Sequence, residues 1–149
     1  MEKRMREIVG HMGWIDARRG SDVWCGVYVG CGPDPANQRV IFVVSDRRGA
    51  DVEMSMAPEE TLRLAVAVDE CLAAGKRATL EIRNGPDFPG GFVGVDRMDV
   101  RVVLRIHVGE SYDNDSLETT LESSAARALV GLLRLASSSG RGGDNARTS

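Results

Sequence analysis

The sequence predicts an α+β domain, an antiparallel sheet of about five strands with two main helices on one face and a short N-terminal helix. Three observations carry this. Val100–Val108 alternates Val100, Val102, Leu104, Ile106 and Val108 with Arg101, Val103, Arg105 and His107, the pattern of a strand with one face in a core and one near water. Further segments upstream alternate in the same way. At Pro58 the period changes from two to that of a helix, and Leu64, Ala65, Val68, Cys71 and Leu72 form a stripe that stops before Gly75.

The elements follow in order. Met5, Ile8, Val9 and Met12 stand at i, i+3, i+4 and i+7, which predicts an amphipathic helix over 2–12 ending at Gly13. So short a helix is marginal alone and must dock on the body or on a partner subunit. A turn follows, with a short strand at Trp14–Asp16. Val23–Cys31 is the next strand, with Val23, Cys25, Val27, Val29 and Cys31 inward and Trp24 and Tyr28 alternating with Gly26 and Gly30 outward. Gln38–Asp46 holds Val40-Ile41-Phe42-Val43-Val44, apolar on both faces, as in a central strand covered on both sides. Asp46-Arg47-Arg48-Gly49 has hairpin composition, and Ala50–Met56 returns with Val52, Met54 and Met56 inward.

Pro58 at the first helical position, with Glu59 and Glu60 against the helix dipole, opens a helix over 58–74. Arg77–Arg83 is a strand with Ala78, Leu80 and Ile82 inward. The loop Asn84–Gly91 exceeds a minimal hairpin, and Phe92–Arg97 extends the Val100–Val108 strand backwards through a bulge. Asp115-Ser116-Leu117-Glu118 has the spacing of a capping box, and Leu117, Leu121, Ala125, Ala128, Leu132 and Leu135 then run along one side of a helix over 115–136. Residues 1–136 make one domain. Residues 137–149, rich in Ser, Gly and Arg, bury too little to offset ordering entropy and form a disordered tail. No internal repeat shows.

Composition limits the function. The apolar 42% and charged 28% are those of a globular chain, and no apolar run approaches the ~20 residues of a membrane span. The mixed-charge N-terminus lacks the apolar region of a secretory signal, so the expected compartment is the cytoplasm. Cys25, Cys31 and Cys71 are an odd set without Cys-x-x-Cys spacing, which suits a reducing one. The net charge of −3 gives no global attraction for nucleic acid. His11 and His107 have no second ligand at a useful spacing, so no metal, cofactor or catalytic residue is assigned.

One constellation remains. Trp24, Tyr28, Arg83, Arg101, Arg105 and His107 share the outward face of the expected sheet, and rings with arginines on an open sheet are what single-stranded nucleic acid uses. The competing reading pairs those arginines with Asp51, Glu53 and Glu81 in a cross-strand ion ladder. The ladder is favoured, because the chain is acidic and has only seven Phe, Trp and Tyr residues. The expected order of helix, three strands, helix, two strands and helix in a small acidic chain resembles the homodimeric chaperones of bacterial type III secretion. That resemblance implies protein binding and transfers no residue. The sequence is therefore read as a non-catalytic, homodimeric protein-binding adaptor or chaperone-like module, with single-stranded nucleic-acid binding through the arginine and aromatic face as the alternative.

Overall fold

A computed structural model describes residues 10–16, 26–31, 39–45, 51–84, 89–109 and 115–148. In chain order they form β1 (Gly10–Asp16), β2 (Gly26–Cys31), β3 (Val40–Ser45), β4 (Asp51–Met56), α1 (Pro58–Ala74), β5 (Ala78–Ile82), β6 (Gly91–Met98), β7 (Arg101–Val108), β8 (Asp115–Leu121) and α2 (Ser123–Thr148). The architecture is α+β, but the expected single sheet is two antiparallel sheets, ordered β1-β2-β3-β4 and β5-β6-β7-β8. Each half of the chain is thus a meander followed by a helix. The order on which the resemblance to secretion chaperones rests is not found.

The two halves are interleaved. α1, which follows the first sheet, lies on β5, β6 and β7 of the second, while α2 lies along β1 and β2 and also reaches β7 and β8. One core results, shared by Phe42, Met54 and Met56 of the first sheet, Leu104 and Ile106 of the second, Leu64 and Val68 of α1, and Leu129 and Leu133 of α2. β3 is buried over its whole apolar run, Val40, Phe42 and Val44 completely and Ile41 and Val43 nearly so. That is the two-sided burial its composition predicts.

Local sequence sets α1 as expected. Pro58 occupies its first turn, Glu60 accepts a hydrogen bond from the Ala57 N–H at 2.9 Å, and Gly75 closes it at φ 70° with its N–H donated to the Cys71 carbonyl at 2.8 Å. The left-handed cap explains the glycine at that position. The Asn84–Gly91 loop joins two paired strands, with Ile82 opposite Gly91. A Cβ on Gly90 would stand 1.9 Å from the Ile82 carbonyl oxygen, so the close strand approach demands glycine there.

Several expectations are corrected. Gly10–Met12 begin β1 rather than ending a helix, and the rest of the expected 2–12 helix lies outside the described residues. Phe92–Arg97 belong to a separate strand that pairs with β7 across a two-residue turn, Asp99-Val100, with Met98 opposite Arg101. Residues 115–121 are a strand, not the first turns of the last helix, and Leu117 lies opposite Ile106. The helix starts at Ser123, so its buried side is Ala126, Leu129, Val130, Leu133 and Ala136, while Ala128 and Leu135 of the expected stripe are exposed. It continues past Ala136 into the expected tail, where buried Ser137 donates its hydroxyl to the Pro58 carbonyl at 3.1 Å.

Candidate binding face on the second sheet

The outer face of the second sheet is built in cross-strand rows by its register. Glu81, Phe92, His107 and Ser116 form one row; Thr79, Gly94, Arg105 and Glu118 form the next; Asp96, Val103 and Thr120 the third; Met98 and Arg101 close it at the β6–β7 turn. Alternation along β7 holds, since Val102, Leu104 and Ile106 are buried while Arg101 and Arg105 are exposed. Val103 is buried as well, between Asp96 and Thr120 in its row.

The arginines of this face meet carboxylates. Arg101 Nε stands 2.9 Å from Glu122 Oε2, and Arg105 reaches Glu118 at 3.4 Å and Asp96 at 3.7 Å. Asp96 also faces Arg77 at 3.6 Å and accepts the Arg97 N–H at 2.7 Å. The arginines therefore pair with other carboxylates than those expected from the sequence: Asp51 and Glu53 belong to the first sheet, and Glu81, on the second, makes no ion pair among the described residues. Each such exposed pair contributes roughly 0–1 kcal/mol, so what the ladder decides is the charge of the face rather than stability.

His107 Nδ1 lies 2.6 Å from the Ser116 hydroxyl, and its ring sits 6.4 Å from that of Phe92 at a 40° tilt. Arg105, Ile106, His107, Ser116, Leu117 and Glu118 border an open hollow of about 350 Å³. Beyond it, Phe92, Met98 and Val100 are 45%, 52% and 63% exposed, large apolar groups on an otherwise charged surface. The turn carrying Val100 is held to the body, since Ser123 donates its hydroxyl to the Val100 carbonyl at 2.7 Å.

Of the six residues predicted to share one face, three do so: Arg101, Arg105 and His107. Arg83 lies past the end of β5, with Nε 3.8 Å from buried Glu60 of α1. Tyr28 belongs to the first sheet, where the register sets it opposite Trp14 and Val43, and Trp24 lies outside the described residues. Phe92 was missed as a member of the face. Its one sequence signal was a strand-forming run, and the Asp99-Val100 turn that returns it beside His107 has none of the usual glycine hairpin pairs.

Among the described residues no three His, Cys, Asp or Glu side chains gather in a way that would hold a metal ion. No helix among them is long and apolar enough to cross a membrane. Cys71 is buried, its thiol donating to the Asp96 carbonyl at 3.4 Å, and burial pushes its pKa up, away from the reactive thiolate. No family model matches the chain, and neither a curated protein nor a solved structure matches it.

Proposed function

We propose that the protein is a non-catalytic, homodimeric adaptor that binds another protein on the outer face of its second sheet. The observation that supports this is the make-up of that face: Arg101 and Arg105 are each within 4 Å of a carboxylate, while Phe92, Met98 and Val100 stand exposed beside them. Aromatic, Met and Arg side chains are the types enriched where proteins meet, and a neutralised face avoids selecting for phosphate. The test is capture of a partner from the native host by the immobilised full chain. Capture should fall at least severalfold when Phe92→Asp and Met98→Asp are combined, with the thermal midpoint unchanged. Capture indifferent to both substitutions would remove the reading.

One observation favours the alternative of single-stranded nucleic acid on the same face: the Phe92 and His107 rings lie in the row next to Arg105, where bases could stack. The arginines would first have to leave their carboxylates. Fluorescence anisotropy with a mixed-sequence single strand at low salt is expected to show no binding. Binding whose salt slope falls by ~1 unit in Arg105→Ala would replace the protein-docking reading with this one.

A further inference from the structure

We infer that two copies of this chain join edge to edge through β5, extending the second sheet continuously across a two-fold axis at Thr79. The inference rests on the homodimeric part of the proposed function and locates its interface.

β5 ends the strand order of its sheet, paired on one side with β6 without any shift of register and, among the described residues, with no strand on the other side. From Lys76 to Asn84 every residue except Ile82 is exposed or half-exposed. Of the other edge strands, β8 and β4 lie against strands of the opposite sheet and β1 lies against α2, whereas β5 meets α1 and its neighbour β6 and no strand of the opposite sheet to the same extent. Open edges are normally blunted by a proline, a bulge, or a lysine or inward charge within the strand. Ala78–Ile82 has no proline, bulge, lysine or inward charge, and the one charge it does carry, the outward Glu81, is complementary to Arg77 just before the strand. Beneath the strand, Ala78, Leu80 and Leu72 of α1 pack on the core while staying half-exposed, an apolar margin that an added strand would cover.

The charges choose the register and the occupant. An antiparallel pairing centred on Thr79 sets Glu81 opposite the partner's Arg77, Arg77 opposite the partner's Glu81, and Ala78 opposite the partner's Leu80. Glu81 is exposed and makes no ion pair among the described residues, and Arg77 is held only at 3.6 Å by Asp96. Centring the pair on Leu80 would face Arg77 with the partner's Arg83, and centring it on Glu81 would face two glutamates. Shifts by an odd number would bring the apolar side opposite the charged one. Centring it on Ile82 would also face Glu81 with the partner's Arg83, but Arg83 is already drawn to Glu60 and that pairing would run past the end of β5. The register at Thr79 is therefore the one that pairs opposite charges at both ends of β5, as an isologous two-fold contact requires.

Sedimentation equilibrium of the full chain tests this. The wild type is expected to be a dimer, and Glu81→Arg, Arg77→Glu and Thr79→Lys should each raise the dimer dissociation constant roughly tenfold or more, because each change acts twice across the axis. Glu81→Arg combined with Arg77→Glu should restore dimerisation, a rescue that rules out misfolding as the cause of the single-variant losses. A monomeric wild type overturns this inference together with the homodimeric reading. A dimer that survives all three single changes overturns the β5 interface alone, and a double variant that stays monomeric overturns the register centred on Thr79. Partner capture by Phe92 and Met98 is measured separately, so docking of another protein stands or falls independently.

Discussion

Glu60 Oε2 accepts the backbone N–H of Arg83 at 2.9 Å and faces the Arg83 guanidinium at 3.8 Å. With Oε1 taking the Ala57 N–H, one carboxylate that is 1% exposed ties the start of α1 to the end of β5. Half-buried Arg39 adds a further positive field: burial pushes its pKa down, and Glu60 and Glu59 push it back up. Removing the carboxylate leaves two main-chain donors without partners. Glu60→Ala should cost about 3 kcal/mol in urea unfolding and Glu60→Gln about half that, since an amide oxygen can still serve one donor. A loss under about 1 kcal/mol for the alanine variant would mean that water replaces the carboxylate.

Thr119 lies opposite Leu104 in the core, 5% exposed, and its hydroxyl finds no hydrogen-bond partner among the described residues. Thr119→Val keeps the shape and removes the orphan oxygen, so it should stabilise by up to about 1 kcal/mol. The denaturant midpoint should rise with an unchanged slope.

Asp99 holds φ 58° in the β6–β7 turn, a region that suits Gly, Asn and Asp far better than branched side chains. Asp99→Val should cost about 1–2 kcal/mol while Asp99→Gly costs nothing measurable. The Arg97 bond to the Asp99 carbonyl, 2.8 Å, is retained in both, so the difference between their thermal midpoints isolates the backbone term.

Burial raises the Cys71 pKa, Arg97 opposes it, and Asp96 adds a smaller upward push. The folded thiol thus keeps its proton to a higher pH than the unfolded one. Between those two values the folded state binds more protons, so stability is fully present below the ordinary thiol pKa and falls as pH rises above it. Cys71→Ala should remove that part of the alkaline decline in urea midpoints between pH 7 and 10. In the native chain at pH 8, peptide mapping after iodoacetamide should find Cys71 unmodified until denaturant unfolds it.

What the sequence determined by itself is local. Pro58, Glu60 and Gly75 bound α1 at both ends, and the alternation of Val102, Leu104 and Ile106 with Arg101 and Arg105 assigns the two faces of β7, because caps and side-chain direction depend on neighbours a few residues away. Where local periods agree with one another, sequence cannot choose. Leu117 and Leu121 are four apart, which suits a helical stripe and one side of a strand equally, and it is their pairing with Ile106 and Val102 that makes them strand.

Tertiary structure decided the rest. Inward and outward alternation is the same whether strands join one sheet or two, so the division into two sheets and the exchange of α1 and α2 between them had no signature in the chain. The candidate face divides in the same way. Arg101, Arg105 and His107 share one strand and were legible together, whereas Asp96, Glu118 and Phe92 reach them only through the register of β6 and β8. Register is fixed by long-range burial and turn geometry, and a two-residue turn such as Asp99-Val100 leaves almost no trace in composition.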